Sequence, residues 1–375
     1  MRLNYLFATV FLSATVLFTS CIKDEALNTE ADIESASIEN GSVILQMSPI
    51  IGDNTITFRL KNFAESFEFA PEFTLTPGAT IEPKSGTKLD FTTPKKYTVT
   101  SEDGVWKKTY TVSFIVDDNA DFNFSFENVE IINTESPEGH YHEFFDYLET
   151  RQIKKDWSSG NGGFNIMAAT LVPDGEQLTP EFYPTAQTKD GFIGKGAKLQ
   201  TKSTGPLGSQ FGSPLAAGNL YIGTFKLTFP AIKSTLFGLP YLADKAPIAL
   251  KGYFKYQAGS DFKVNNKPSE LTKDSWDAYA ILFEKREKDN FLSGDHGFND
   301  ARIVSIARIR SQDRIETNEW TQFNIPFEFI NGKKFDPKKE YMYTIVFSSS
   351  LEGDRYNGAV GSTLWIDEVE LVTEE

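Results

Sequence analysis

Apolar and polar positions alternate with a period of two along most of this chain. The runs NTITFRL, EFTLTPG, LYIGTFKLTF, WTQFNIPFEF and YMYTIVFSSS are rich in β-branched and aromatic residues and are bounded by Gly, Pro, Asn and Asp. This composition and this period are typical of β-strands. No stretch shows a convincing amphipathic helical period over three turns. The pattern therefore predicts an all-β protein.

The predicted strands fall into two groups. Between residues 32 and 117 they are short, and TSEDGVWKKTYTV is a hairpin in which Asp103 and Gly104 supply the turn. About seven short strands in this length indicate an immunoglobulin-like sandwich. The acidic stretch Val116–Asp121 is the predicted boundary. Residues 121–375 then form a second domain, which is large for a sandwich and implies long loops.

Two glycine-dense stretches are the predicted long loops of this second domain. They read SSGNGGF and KSTGPLGSQFGSPLAAGN. Long loops on a rigid β scaffold commonly carry binding surfaces.

The N-terminus has the pattern of an export signal. Arg2 precedes an apolar run from Tyr5 to Phe18, which is too short for a membrane span. Cys21 is the only cysteine, so no internal disulfide can form. The stretch FTSC resembles a bacterial lipobox, which implies removal of residues 1–20 and lipidation of Cys21. Residues 21–31 would be the tether from the lipid.

The residues after Cys21 indicate a destination. The stretch IKDE resembles the acidic tag of Bacteroidetes lipoproteins that are sent to the cell surface. We therefore expect an outer-membrane protein that is exposed at the surface and contacts the membrane through its lipid alone.

Composition excludes several classes of partner and cofactor. The formal net charge is -15, and clustered basic residues would be needed to bind nucleic acid or an anionic membrane surface. With three histidines and one cysteine, the chain is poorly supplied for zinc or copper. We expect no cofactor other than a calcium ion held by oxygen ligands.

Motifs of the second domain resemble a known family. The opening FSFE, the stretch GKGAKLQT and the closing WIDEVEL are similar, in order, to jelly-roll carbohydrate-binding modules. More narrowly, AAGNLYIGTF, ALKGYFKYQAG and SSSLEGDRYNGAVGSTLWIDEVEL resemble the Bacteroidetes putative carbohydrate metabolism domain, over nearly all of the second domain. The first domain is similar to N-terminal spacer modules of Bacteroidetes surface lipoproteins. These resemblances imply an immunoglobulin-like sandwich followed by a larger jelly roll.

Asp367 poses a question that this resemblance addresses. A period of two places it in phase with Thr363, Trp365 and Val369, and a buried carboxylate needs a partner. In relatives of this kind the first and last strands are adjacent, and carboxylates at the positions of Glu127 and Asp367 share a structural calcium. The alternative is that Asp367 accepts hydrogen bonds from backbone amides without a metal. Both remain open at this stage.

Candidate glycan-binding residues are aromatic or charged side chains away from the core phase, because sugars stack on rings and pair their hydroxyls with polar groups. In IALKGYFKYQ the core phase leaves Tyr253 outward, with Lys255 beside it. The other candidates are Trp157, Trp276, Tyr279 and Glu284. Trp320 matches a position that is usually structural in the relatives and is left out.

Hydrolysis of glycans is the rival function. It needs two carboxylates either about 5 to 5.5 Å or about 6.5 to 9.5 Å apart, and Glu284 with Asp295 or Asp300 is the pair to test. No other catalytic motif is evident. A structural surface protein that binds no sugar is a third possibility. We favour a lipoprotein that binds a polysaccharide or oligosaccharide and does not cleave it.

Overall fold

The computed structural model describes residues 26–61, 66–116, 122–135, 138–148, 153–168, 170–172, 178–265, 267–286, 290–330 and 332–374. The predicted signal peptide, Cys21 and the boundary residues 117–121 lie outside these ranges. Within them the fold is all-β, as the alternating pattern predicted. No helix in the described ranges is long and apolar enough to cross a membrane.

The N-terminal part is a small sandwich. Its elements are β1 (Ile33–Ser37), α1 (Gly41–Ile44), β2 (Ile50–Ile51), β3 (Thr55–Leu60), β4 (Glu68–Phe69), β5 (Glu72–Leu75), β6 (Thr80–Glu82), β7 (Leu89–Asp90), β8 (Lys95–Thr100) and β9 (Lys107–Val116). One sheet has the order β2-β3-β9-β8-β6, and β1-β5 and β4-β7 form two smaller pairs. The predicted hairpin is confirmed, because β8 and β9 pair and Gly104 has a φ of 72° in the turn.

The first half of the C-terminal part contains short strands and two helices. They are β10 (Asn123–Phe124), β11 (Asn128–Glu135), β12 (Glu138–Tyr147), β13 (Ile153–Lys154), β14 (Trp157–Ser158), α2 (Asn161–Ala168), β15 (Thr185–Thr188), β16 (Gly196–Gln200), β17 (Lys202–Ser203), α3 (Gly205–Gln210), β18 (Leu215–Ala216) and β19 (Asn219–Phe225). α2 begins in the first glycine-dense stretch and α3 lies inside the second, so these predicted loops contain short helices.

The second half supplies the long strands. They are β20 (Thr235–Phe237), β21 (Leu239–Tyr241), β22 (Pro247–Gln257), β23 (Phe262–Lys263), β24 (Asp277–Glu284), β25 (Leu292–Ser293), β26 (Ile303–Arg308), β27 (Thr317–Pro326), β28 (Glu328–Phe329), β29 (Tyr341–Ser348), β30 (Gly358–Ala359) and β31 (Thr363–Thr373). Short 3-10 turns occur at Pro180–Phe182, Ala231–Ser234, Ser311–Asp313 and Gly353–Arg355.

Two sheets face each other across the C-terminal core. One has the order β15-β16-β31-β22-β27 with β10 beside β31, and we call it the front sheet. The other has the order β25-β20-β19-β29-β24-β26-β28, with β14 and β21 attached. One hydrophobic cluster fills the space between them and includes Leu250, Phe254, Leu364 and Ile366 of the front sheet. The outer face of the front sheet is thus left for other contacts.

The two parts of the chain are joined by more than a linker. Met47 and Ile50 of the N-terminal part belong to the hydrophobic cluster of the C-terminal part. Arg59 in β3 forms a buried ion pair with Asp156, which Lys154 also contacts at 3.2 Å. Burial would raise the pKa of Asp156, but the charges of Lys154 and Arg59 outweigh it and hold that pKa below its usual value. The carboxylate is therefore ionised and compensated.

We predict that Asp156→Ala destabilises the protein by about 3 to 5 kcal/mol, because it leaves the guanidinium of Arg59 buried without its anion. Urea denaturation followed by tryptophan fluorescence measures this loss. The triple variant Arg59→Met, Lys154→Met and Asp156→Leu, which removes all three charges, is the control, and it should recover most of the stability. An Asp156→Ala protein as stable as the wild type would contradict a compensated charge at this junction.

Candidate functional site

The outer face of the front sheet carries a row of large polar and aromatic side chains. In β22, Leu250, Phe254 and Tyr256 are buried in the core, while Tyr253 and Lys255 point to the other side, as the pattern predicted. In β27, Phe323 and Ile325 are buried and Gln322 and Asn324 are exposed. The phase is confirmed for these residues, whereas Ile248, in phase with Leu250 near the start of β22, was predicted in the core and is 44% exposed. Trp320, in phase with Gln322, lies on the same outer face.

Lys255 lies between two indole rings of this face. Its ammonium nitrogen is 4.7 Å from the ring centre of Trp320 and 5.6 Å from that of Trp365. The same nitrogen forms an ion pair of 2.9 Å with Asp190, whose side chain is 81% exposed. A cation over aromatic faces is held by the negative quadrupole of each ring. Lys255 therefore fixes both indoles at the surface and leaves the Asp190 carboxylate free to accept hydrogen bonds from solvent or ligand.

Tyr253 does not present an open ring. Phe192 stacks on it with ring centres 3.7 Å apart and an angle of 10° between planes. Phe192 is itself 41% exposed, and its ring meets that of Trp320 at 6.4 Å in an edge contact. Tyr253 is thus the support and Phe192 the accessible ring. We call Phe192, Tyr253, Trp320 and Trp365 the aromatic face.

A bulge in β31 explains the position of Asp367. Leu364 and Ile366 are buried in the core, which turns Trp365 outward. Glu368 has a φ of 47°, and the register with β22 shifts there, so Val369 returns to the core. A strict period of two predicts that Asp367 shares a core face with Trp365 and Val369. In the structure it does not, because the bulge separates Val369 from the other two. Asp367 lies under the loop of residues 190–195.

This loop and the neighbouring residue of β31 each supply one amide donor for Asp367. The N–H of Ile193 donates to Oδ2 at 3.0 Å, and the N–H of Glu368 donates to Oδ1 at 2.8 Å. The residue is fully buried, and burial raises the pKa of its carboxyl to about 6 despite these donors. Asp367 therefore fastens the loop that places Phe192 on Tyr253.

Glu127 holds the other end of the same loop. The N–H of Lys195 donates to its Oε1 at 2.8 Å. Gly194 is required beside it, because its φ is 64° and a side chain there would meet Oε1 at 2.2 Å. The predicted neighbourhood of the first and last strands is confirmed by the pairing of β10 with β31.

The expected calcium ion is not needed to account for either carboxylate. Backbone amides already satisfy oxygens of both Glu127 and Asp367. In the described part of the chain, no group of three or more His, Cys, Asp or Glu side chains is arranged to hold a metal. Calcium at this place stays a prediction.

A polar cavity of about 310 Å³ adjoins the aromatic face. Tyr253 and Gln322 belong to its lining, which continues with Asn123, Lys251, Glu368 and Glu370. Lys251, Tyr253 and Lys255 follow each other at every second position of β22, so cavity and aromatic face together span roughly 13 Å along the strand. An extended ligand can contact hydrogen-bonding groups at one end and rings at the other.

Three predicted glycan-binding aromatics lie elsewhere, in the core. Trp276 is 0%, Trp157 is 3% and Tyr279 is 9% exposed. Tyr279 belongs to β24, which lies between β29 and β26 and is buried on both faces. This double burial also explains why its sequence shows no clear core phase. These side chains cannot stack on a sugar at the surface, so we remove them from the candidate set for the front sheet.

The predicted catalytic carboxylates are held by basic or hydroxyl groups. Glu284 forms ion pairs with Lys339 at 2.8 Å and Lys333 at 3.4 Å, and hydrogen bonding by Lys339 is the main cause that lowers its pKa. Arg302 binds Asp300 through two nitrogens and lowers the pKa of that carboxyl to about 2. The Ser293 hydroxyl lowers the pKa of Asp295. The general acid of a glycoside hydrolase needs a carboxyl whose pKa is raised.

Sequence reasoning missed Phe192, Trp365 and Trp320 at this site. Trp365 was hidden by the bulge, which reverses the phase of β31 after Ile366. Phe192 lies in a loop, where no period indicates direction. The sequence pattern does place Trp320 on the outward side, but it was left out because the matching position is usually structural in relatives.

Asp367→Asn should remove a pH dependence of stability. The pKa of Asp367 is raised from 3.8 to about 6, so the folded protein binds an extra proton between these values. The stability gained from this proton is fully present below pH 3.8 and is lost as the pH rises through 6. Denaturant unfolding of both proteins from pH 4 to pH 7 measures the difference. The wild type should lose stability relative to Asp367→Asn as the pH rises, and a constant difference would contradict the assigned environment.

Two family models match the chain. Residues 125–372 match the family described as "Putative carbohydrate metabolism domain". Residues 36–113 match the family described as "SGBP, N-terminal". Among curated proteins, none matches.

Two solved structures from Bacteroides are similar over most of their length. One, from Bacteroides thetaiotaomicron vpi-5482, is called a putative glycoside hydrolase; it is 43% identical with a TM-score of 0.81, covering 94% of this chain and 99% of that one. The other, from Bacteroides vulgatus ATCC 8482, carries the same description; it is 34% identical with a TM-score of 0.59, covering 68% of this chain and 98% of that one. The family model covers well over half of the sequence, and these structures share its fold. The chain therefore belongs to the Putative carbohydrate metabolism domain family.

Proposed function

We propose that this protein is a surface lipoprotein that binds a polysaccharide through the outer face of the front sheet and does not cleave it. The observation that carries the proposal is the aromatic face beside the polar cavity. Exposed or half-exposed rings in a row offer flat apolar surface to the C–H faces of sugar rings. Gln322, Lys251 and Asp190 lie within the same span and offer partners for hydroxyl groups.

The arrangement suits an extended chain better than a small enclosed ligand. The rings and the cavity follow β22 over roughly 13 Å on an open sheet surface. The rings are held from below by core strands and from the side by the loop that Asp367 and Glu127 fasten. Because the site is preformed, little ordering of side chains is required when a ligand binds.

Binding is favoured over hydrolysis by the state of the carboxylates. Glu284, Asp295 and Asp300 all have lowered pKa values, and two of the three are held by basic side chains. Asp367 has the raised pKa that a general acid needs, but its side chain is fully buried under the loop. Both relatives are described as a putative glycoside hydrolase, which keeps hydrolysis as the second candidate.

The proposed location rests on the N-terminal sequence and on the first domain. The lipobox-like stretch before Cys21 supports a lipid anchor in the outer membrane, and the acidic tag supports export to the surface. The match of residues 36–113 to an SGBP N-terminal family is consistent with a surface-associated carbohydrate protein.

We expect Trp320→Ala and Trp365→Ala each to weaken glycan binding about two- to tenfold, because a stacked ring contributes about 0.5 to 1.5 kcal/mol beyond its buried area. Affinity electrophoresis against plant, host and microbial polysaccharides, followed by calorimetry on the tightest, measures this. Trp106→Ala is the matched control, since Trp106 is 58% exposed in the N-terminal part. Equal losses in all three variants would argue against a site on the front sheet.

The same proteins and polysaccharides, incubated together, test hydrolysis. Reducing sugar is measured over a day, with and without added calcium, and we expect none to be released. Release that Glu284→Gln abolishes would make the protein a hydrolase and overturn the proposal. If no glycan is retained and none is cleaved, a structural role is favoured.

A further inference from the structure

The junction of the two parts of the chain encloses a second cavity, of about 320 Å³. Its N-terminal wall is the outward face of the parallel pair β3 and β9, where Thr55 faces Thr111 and Thr57 faces Ser113. These are small side chains with hydroxyl groups. At a contact between domains, small residues on one wall leave space that larger side chains would fill.

The opposite wall combines an aromatic residue with an ion pair. Tyr141 and Glu143 of β12 line the cavity, and so does Lys155. The ammonium of Lys155 contacts Glu143 at 3.1 Å and Glu130 at 2.5 Å. This wall therefore offers carboxylate acceptors, an ammonium donor and a phenol within one cavity.

The walls are held in place by interactions across the junction. The buried pair of Arg59 and Asp156 lies beside the cavity, to which Arg59 itself contributes. Asp53 of the N-terminal part accepts a hydrogen bond of 2.8 Å from the N–H of Leu227. With Met47 and Ile50 in the larger core, these contacts fix both walls before any ligand arrives.

One buried donor of the cavity lining has no partner. Trp157 lines the cavity and is 3% exposed, and its indole nitrogen makes no hydrogen bond to any residue that the structure describes. Buried polar groups in native proteins are nearly always paired, so this indole N–H is a donor that water or a ligand could satisfy.

We propose that this cleft at the domain junction is a second binding site, for a neutral sugar unit such as the end of a glycan chain. Ligand pockets occur preferentially at domain interfaces, and this volume lies at the lower end of their usual range. Hydroxyl groups, carboxylates and an ammonium together match a ligand whose hydroxyls both donate and accept.

The charges of the lining favour a neutral ligand over an acidic one. Asp53, Glu130 and Glu143 bring three carboxylates to the cavity. Of the lining cations, Arg59 already pairs with Asp156, and Lys155 already pairs with Glu130 and Glu143. Lys96 at the rim is the remaining lining lysine, so a phosphate or uronic acid would meet three carboxylates and one lysine that forms no ion pair with a described residue.

The five tryptophans allow both sites to be followed at once. In a ¹H–¹⁵N spectrum of the mature chain, the assigned indole signal of Trp157 reports on the cleft, and those of Trp320 and Trp365 report on the aromatic face. The probes are glucose, galactose, mannose, xylose, arabinose and N-acetylglucosamine. We expect at least one of them to shift the Trp157 signal in a saturable manner, also in the double variant Trp320→Ala with Trp365→Ala.

Two variants locate this binding in the cleft. Ser113→Tyr fills the cavity and should weaken the interaction at least tenfold, and Glu143→Gln, which adds no bulk, should weaken it as well. Thr109→Tyr is the matched control, because Thr109 is an exposed residue of the same strand outside the cavity lining. It should bind as the wild type does.

Failure of this inference is distinguishable from failure of the proposed function. If no probe shifts the Trp157 signal, or if the shift persists in Ser113→Tyr, the cleft is not a sugar site, whatever Trp320 and Trp365 show. If inorganic phosphate shifts it and no sugar does, the ligand class is wrong. Signals of Trp320 and Trp365 that respond to oligosaccharides while Trp157 does not would leave only the aromatic face.

Discussion

The buried carboxylate of Asp367 holds the loop of residues 190–195 against the outer face of the front sheet. A buried carboxylate is unfavourable without donors, and the amides of Ile193 and Glu368 provide them. The bulge at Glu368 makes this possible, because it moves Asp367 away from the core while Val369 stays in it. Phe192 then stacks on Tyr253, and the aromatic face takes its shape from that contact.

The two ends of the C-terminal domain meet at this place. β10, which opens the domain, pairs with β31, which closes it, and Glu127 lies three residues after β10. Residues that are far apart in sequence thus fasten one loop from two sides. The proposed glycan site consequently depends on complete closure of the sandwich, and we expect fragments that lack either end to lose it.

Alternation of apolar residues was enough to predict the fold class and the outward side of β22 and β27. Tyr253, Lys255 and Gln322 point as their phase predicted. The prediction of side-chain direction failed where a bulge reverses the inward and outward positions of a strand, and where both faces of a strand are buried. A positive φ at Glu368 reversed the phase of β31, and burial on both faces of β24 placed Tyr279 in the core. Loop residues such as Phe192 and Asp190 have no period, so their contribution follows only from tertiary structure.

The N-terminal part is more than a spacer in this structure. It contributes Met47 and Ile50 to the larger core and Arg59 to a buried ion pair, and it forms one wall of the junction cavity. These contacts join the N-terminal part directly to the sandwich that carries the aromatic face.

A crystal structure of the protein with its tightest-binding oligosaccharide tests the central claim most directly. The account predicts an intact chain lying along β22, with sugar rings on Phe192, Trp320 or Trp365 and hydroxyl groups in the polar cavity beside Lys251. An oligosaccharide bound away from the front sheet, or cleaved next to Glu284, would contradict it.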